Sequence, residues 1–424
     1  MPGRRNIVIV GGGIIGSTTA YFLTRHPLYN RALHSITLLE ASSVAAGSSG
    51  KAGGLLAEWA YPECITQLSY DLHARLASEH NGADKWGYRH IKCGTVRARV
   101  TQAMVDAQEI TGDAAAAVVE GEAWQKLPKQ DDKAKAKLTA ANFPSDLDYI
   151  APEAVSWWDA MDGNTAQVHP FHFTSSMAEM AASAGVSVLT RTKVTKLLYT
   201  ADGASITGVE YTNRDDGSTV TISDATDVVV AAGPWTASLI PKAEITSVRA
   251  HSVVYNADVA AYAVFTGISL PQKWTPAHRR ASGQKRRHAR TVDPEVYARP
   301  FGEVYACGET DSRVPLPEFA DAVQFDEAQC DDIVAYMGLI SPQLRTASIK
   351  TKQACYLPQH SPMTGETDPL IGPSKTKGLF IAAGHTCWGI QNGPATGCLM
   401  AEYIFDGKTK SADVRALEPR KFGL

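Results

Sequence analysis

The sequence predicts an α/β fold on a parallel sheet, α+β overall because a second, antiparallel sheet follows it. Three observations carry this. The run Ile7-Val8-Ile9-Val10 reads as a strand buried on both faces, and it leads through a glycine turn into a helix over Ser17–Thr24. Two later apolar runs, Asp227–Gly233 and Leu379–Gly384, also end in glycine and would return to the same sheet. Residues 245–265 alternate apolar and polar, the period of a half-buried antiparallel strand.

The turn after the first strand holds glycines at Gly11, Gly13 and Gly16, the G-x-G-x-x-G spacing. Gly11 permits the tight turn, Gly13 the approach of a pyrophosphate, and Gly16 close packing of helix on sheet. The helix N-terminus then offers free N–H groups to phosphates. A second strand, Ser35–Leu39, ends in Glu40, placed to take ribose hydroxyls. Glu40 follows Gly16 by 24 residues, against about 20 in the usual fingerprint, and the loop around His26–Asn30 accounts for the difference. Strand, turn, helix, strand and acid in this order describe a Rossmann-like dinucleotide site.

At 424 residues the chain has room for two to three domains, or for one domain with a large insert. With 44% hydrophobic residues it can bury a large core, and a net charge of -3 points to neither nucleic acid nor a membrane surface. Seven cysteines, an odd number with no C-x-x-C pair, argue against a disulfide framework and a zinc site, so no metal is expected. No run of 18 apolar residues and no leader-like N-terminus are present. A cytoplasmic protein without an integral membrane segment is the expectation.

The remaining elements follow in order. Ala45–Leu56 is small, hydroxylated and glycine-rich, suited to run along a long ligand. Residues 65–80 read as a helix, and 88–98 as two strands about a turn. Residues 100–145 read as solvated helices and loops, and Trp157-Trp158 as core. A helix over 171–184 precedes a strand at 186–189 and a meander from Thr192. The basic run 273–290 reads as a mobile, solvated loop. Residues 297–308 read as a hairpin turning at 300–302, 329–341 as a helix, and 352–358 as a strand. The final strand Leu379–Ala383 leads through Gly384-His385 into a helix running to about Phe405.

Four segments in this order carry a family resemblance: Gly11–Gly16, Gly47-Ser48-Ser49 to Gly53-Gly54, Val230–Trp235, and Gly384-His385 to Gly397. The chain resembles the FAD-dependent oxidoreductases of the D-amino-acid oxidase and glycine oxidase type. Within them it is similar to the fungal Tda3-like oxidoreductases, which carry a Gly-His-Thr-Cys-Trp-Gly-Ile type segment. The resemblance implies a discontinuous FAD-binding domain, 1–60, 165–240 and 350–424. It also implies an inserted antiparallel-sheet substrate domain, 61–164 and 241–349. It implies non-covalent FAD along a definite set of residues. Gly11, Gly13, Ile14, Ile15 and Gly16 would meet the pyrophosphate, and Glu40 with Ala41 the adenosine ribose. Ser48, Ser49, Lys51, Ala52, Gly53, Gly54 and Leu55 would follow the pyrophosphate and ring, and Val194 would meet the adenine. Ala232, Gly233 and Trp235 would flank the dinucleotide, with Gly389, Ile390, Gln391, Asn392 and Thr396 at the pyrimidine end.

The implied chemistry is hydride transfer from a C–H beside an amine to flavin N5, with O2 as acceptor. The implied substrate is a secondary amine or modified amino acid. His385 and Trp388 would contact substrate or ring, and Arg299 is the candidate for a substrate carboxylate. The family's carboxylate-binding arginines are absent, since their positions hold Leu357 and Cys387. Cys355 falls near the point of covalent attachment in sarcosine oxidase-like relatives but reads as a buried structural thiol. The alternative implied by the Tda3 relatives is an FAD-binding protein with endosomal partners, peripheral to endosomes, and with little catalysis.

Overall fold

The computed structural model describes residues 3–108, 142–362 and 368–424. The expectation for 100–145 therefore lies largely outside the described residues.

The first strand, Arg5–Val10, sits in the middle of a six-stranded sheet. It pairs in parallel with His34–Leu39 on one side and with Asp227–Val230 on the other. Leu379–Ala383 continues in parallel beyond Asp227–Val230, and Leu370–Pro373 closes that edge antiparallel. Period-two geometry sends the first strand's side chains to two different cores. Ile7 and Ile9 join the helices Ile14–Leu23 and Gly389–Asp406, whereas Val8 and Val10 face Val194, Leu197 and Val209 of a three-stranded antiparallel sheet. All ten residues of Ile14–Leu23 are buried, which explains why this helix carries almost no polar face.

The antiparallel expectation for 245–265 holds and extends to an eight-stranded, mostly antiparallel sheet. Its long pair is Ile245–Asn256 against Ser348–His360, and the hairpin expected at 300–302 joins Glu295–Arg299 to Glu303–Asp311. Ser348–His360 begins just before residue 350 and forms an edge of this sheet, not of the parallel one. The helix Glu327–Ile340 covers one face, burying Cys330, Ile333, Tyr336 and Met337. On the other face Val254, Ala263, Tyr297 and Tyr305 pack with Leu55 and Ile91.

Three expectations need correction. Of the pair Trp157-Trp158 only Trp158 is core; alternation along the strand Val155–Ala160 leaves Trp157 41% exposed. Residues 88–98 form two strands, but not a hairpin. Arg89–His90 pairs with Thr165–Gln167, and Lys92–Arg99 runs parallel to Tyr262–Ser269 in the large sheet. Nor is the basic run 273–290 simply solvated. Arg279 is hydrogen-bonded to Asp332, Arg287 to Glu309, and Arg286 to the carbonyls of Pro271 and Trp274. Among the described residues no helix is long and apolar enough to cross a membrane.

Candidate functional site

A cavity crosses the carboxyl ends of four consecutive parallel strands, lined there by Leu39–Glu40, Val10–Gly11, Ala231–Ala232 and Ala382–Gly384. Strands lie about 4.8 Å apart, so the cavity spans roughly 14 Å across the sheet before its two ends are added. Together with the solvent at its open mouth it takes in about 1240 Å³. The strand order reverses at Arg5–Val10, the switch point where open parallel sheets bind ligands.

The middle of the cavity is made of backbone. Gly11 has φ +110°, and a Cβ there would sit 2.4 Å from the Ala231 carbonyl oxygen. A Cβ on Gly16 would lie 1.9 Å from the Gly11 oxygen, so Gly16 lets the helix in beneath the turn without lining the cavity. Gly13, Ile14 and Ile15 line it, at the start of a helix whose N-terminus has no side-chain cap. Ser49 Oγ accepts from Ile14 N–H at 2.9 Å, tying the segment Ala46–Ala52 across the turn. Ser48, Ser49 and Ala52 line the cavity with it.

At one end stands Glu40, beside Ala41, Thr192, Lys193 and Val194. Its carboxylate accepts Gly12 N–H and Ser42 N–H, one on each oxygen, both at 2.7 Å. Burial raises its pKa, and the two N–H donors oppose the rise. Each oxygen keeps a lone pair for a ligand hydroxyl. Ala232, Gly233 and Trp235 line the adjoining wall, and the Trp235 indole donates to the Pro317 carbonyl at 2.7 Å. That bond belongs to a strap missed by sequence reasoning, Glu318-Phe319-Ala320, which closes over this end. Lys193 pairs with Glu318 at 2.6 Å, and the Arg214 guanidinium lies 3.7 Å from the Phe319 ring centroid. The Pro-x-Pro run before Glu318 was the available signal for an ordered segment.

At the other end His385, Gly389 and Ile390 line the cavity, with Leu357 and Cys387, the two positions where arginines are absent. A second uncapped helix N-terminus, Gly389–Asp406, starts here. The Thr396 hydroxyl donates to the Asn392 carbonyl, so its oxygen accepts from His385 Nε2–H at 3.0 Å. Burial pulls the His385 pKa down to about 3, and the ring stays neutral at physiological pH.

The other candidates sit behind this lining. Gln391 accepts from Ala57 N–H, and Asn392 donates to the Tyr61 carbonyl. Lys51 donates to the Ala354 carbonyl at 3.0 Å, and burial lowers its pKa. Gly53 lies under the Tyr297 ring, Gly54 against the Val168 carbonyl, and Leu55 in a strand beside Gln167. Trp388 joins a ring cluster with Trp59 and Tyr61. Arg299 is 5% exposed, pairs with Glu303 at 3.2 Å and donates to the Ala52 carbonyl, so its guanidinium is engaged within the fold.

The geometry is that of an elongated site with an acid at one end, glycine backbone and a helix N-terminus in the middle, and a second helix N-terminus at the far end. The family profile described as FAD dependent oxidoreductase (DAO) matches residues 6–403. "Putative oxidoreductase C1F5.03c" of Schizosaccharomyces pombe is 33% identical over 434 residues, covering 99% of both chains. "Putative oxidoreductase TDA3" of Saccharomyces cerevisiae is 30% identical over 515 residues, covering 99% of this chain and 95% of its own. Among solved structures, glycine oxidase from Geobacillus kaustophilus superposes with a TM-score of 0.65 at 19% identity, covering 98% of each chain. The chain belongs to the DAO family of FAD-dependent oxidoreductases.

Proposed function

We propose that this protein is an oxidase or dehydrogenase of a secondary amine or modified amino acid, using non-covalent FAD with dioxygen as the acceptor. The observation that carries the proposal is the cavity itself, continuous from Glu40 to Ile390 across the glycine turn. Its residues fit the cofactor. Glu40 would hold the ribose hydroxyls, and Val194 the adenine. The Gly11–Ile15 backbone, with Ser48 and Ser49, would hold the pyrophosphate. The N-terminus of Gly389–Asp406 would place its positive dipole end against the pyrimidine edge. Gln391, Asn392 and Thr396 would act from behind, holding that helix end in place.

Bound FAD would supply the hydride acceptor for the C–H beside the amine nitrogen, leaving an imine for water to hydrolyse and electrons for dioxygen. Neutral His385 would offer Nδ1 as an acceptor, and Trp388 would wall the ring end. Cys355 supports non-covalent binding: burial raises its thiol to about 11, outweighing the pull of Lys51, so little thiolate forms. An amine substrate is supported by the names of relatives. "4-Methylaminobutanoate oxidase (formaldehyde-forming)" of Paenarthrobacter nicotinovorans is 24% identical over 436 residues, this chain covering 46% of it. The residue ranges given above for the two discontinuous domains remain part of this proposal. A second reading, an FAD-binding protein acting mainly through endosomal partners, rests on Leu357 and Cys387 standing where arginines would clamp a carboxylate.

The test is anaerobic titration of the purified protein with amines, D-amino acids and N-alkyl amino acids, read by the flavin spectrum. One class of compound should bleach it, and air should restore the colour with release of peroxide. A flavin-loaded protein that no compound bleaches would favour the second reading. A protein that takes up no flavin would overturn both.

A further inference from the structure

Beside the His385–Ile390 end of the cavity stands a carboxylate with no cationic partner among the described residues. Glu295 lies on the large sheet directly opposite Phe265 on one neighbouring strand and Cys307 on the other, so the three side chains share a face. Tyr297, two residues on, shares that face as well; its hydroxyl donates to Glu295 and its ring covers Gly53. Among the described residues Glu295 forms no salt bridge. Burial raises its pKa, with only the Tyr297 hydroxyl and the Cys307 thiol hydrogen-bonded to it and Asp293 adding repulsion. A carboxylate kept this dry and without a counter-charge costs stability unless something else compensates it.

A chain of aromatic rings starts at Phe265, its cross-strand neighbour. Phe265 meets Trp59 with ring centroids 6.1 Å apart, Trp59 meets Trp388 at 5.6 Å, and Trp388 meets Tyr61 at 5.7 Å, all edge to face. The Trp59 indole N–H is buried with no hydrogen-bond partner among the described residues, and the Trp388 indole N–H faces the Tyr61 hydroxyl. The group reaches the cavity at Cys387, whose thiol is raised first by burial and further by the Glu295 carboxylate. Tyr61 is 48% exposed, so this corner opens to solvent.

We propose that this corner selects an organic cation: an amine whose ammonium pairs with Glu295 against the faces of Trp59 and Trp388, with no carboxylate on the neighbouring carbon. The charge pattern supports this twice. The positions that would hold an anion, Leu357 and Cys387, carry no positive charge, and the buried charge that is present is negative. Desolvated aromatic faces add attraction for a cation and none for a carboxylate. The proposal rests on the flavoenzyme reading above, because that reading puts the reacting carbon at this end of the cavity.

The test is isothermal titration calorimetry of the flavin-loaded protein with benzyltrimethylammonium and, separately, with benzoate. The cation should bind saturably and benzoate should not. Glu295→Gln should weaken cation binding roughly tenfold or more, and Glu295→Asp should recover part of it. The flavin spectrum and melting temperature of each variant report its folding. Tighter binding of benzoate than of the cation by the unaltered protein would overturn the proposal, as would a folded Glu295→Gln variant with unchanged cation affinity. Either result in a flavin-loaded protein leaves the flavoenzyme reading standing, whereas a protein without flavin would sink that reading first.

Discussion

At the scale of single residues, the two histidines beside the start of the helix Gly389–Asp406 show how burial decides charge. His73 is fully buried, and its Nε2 donates to the Ile390 carbonyl at 2.9 Å. Burial pulls its pKa down to about 4, and that of His385 to about 3, from an ordinary value of 6.5. The unfolded chain therefore binds more protons than the native one below pH 6.5. Stability is intact above that pH and falls as pH drops toward the folded values. Each unit costs about 1.4 kcal/mol per histidine, or about 2 kcal/mol between pH 6.5 and 5. A His73→Gln variant keeps a donor for Ile390 but cannot take the proton. Thermal melts should show its stability falling less between pH 6.5 and 5, by about that amount. An unchanged pH slope would mean that His73 is not buried neutral. Glu40 shows the limit of local reading. Its place after the second strand is visible in the sequence, but its bonds to Gly12 and Ser42 are not.

At the scale of elements, the helix Gly389–Asp406 contains Pro394, which has no N–H to give the Ile390 carbonyl. His73 supplies that hydrogen bond from the helix Glu63–His80, and Ser69 donates to the next carbonyl, Gln391. The proline is therefore tolerated because another helix covers the gap. Glycine recurs every fourth residue at 389, 393 and 397, facing the helix Ile14–Leu23. A Cβ on Gly397 would lie 2.5 Å from the Thr18 carbonyl carbon, and Thr18 Oγ1 donates to the Gly393 carbonyl at 2.8 Å. Backbone meets backbone, so there is no flexible side chain to yield. Gly397→Val should lower stability by about 3 kcal/mol, read from the denaturant midpoint, and reduce flavin retention with it. A variant as stable as the parent would show that the two helices can separate at no cost. The helix is legible from its composition, but the glycine stripe acquires its meaning only beside its partner.

Across the whole molecule, one buried polar cluster ties the large sheet to the cavity wall. Glu303 meets Arg299 at 3.2 Å and His169 at 3.3 Å, and Arg299 donates to the Ala52 carbonyl. Burial works to raise the Glu303 pKa, but hydrogen bonds from His169 and Lys350 and the nearby positive charge hold it at about 2. Glu303→Gln would leave the Arg299 charge buried and unbalanced. The expected loss is about 3–5 kcal/mol in denaturant unfolding. Lys350→Gln serves as the control: its side chain is 53% exposed, and its loss should cost under about 1 kcal/mol. Equal effects from the two variants would show that the cluster is not what holds the layers together.

The apolar period of Ile7–Val10, the glycine spacing and the acid at Glu40 are local properties, and they are enough to specify the strand, the turn and the parallel sheet around them. The hairpin at 300–302 and the helix from Gly389 were legible for the same reason, since backbone preference and neighbouring residues set them. Partnership across the fold was not legible. Lys92–Arg99 pairs with a strand some 170 residues away, Arg279 finds Asp332, and the strap at 318–320 reaches the cavity through Trp235 and Lys193. Glu295 drew no notice in the sequence because an acid in a strand is unremarked until its neighbours are known. Local chemistry chooses the elements. Only the packing of distant segments decides which charges are left unpaired, and those are the charges that a substrate would meet.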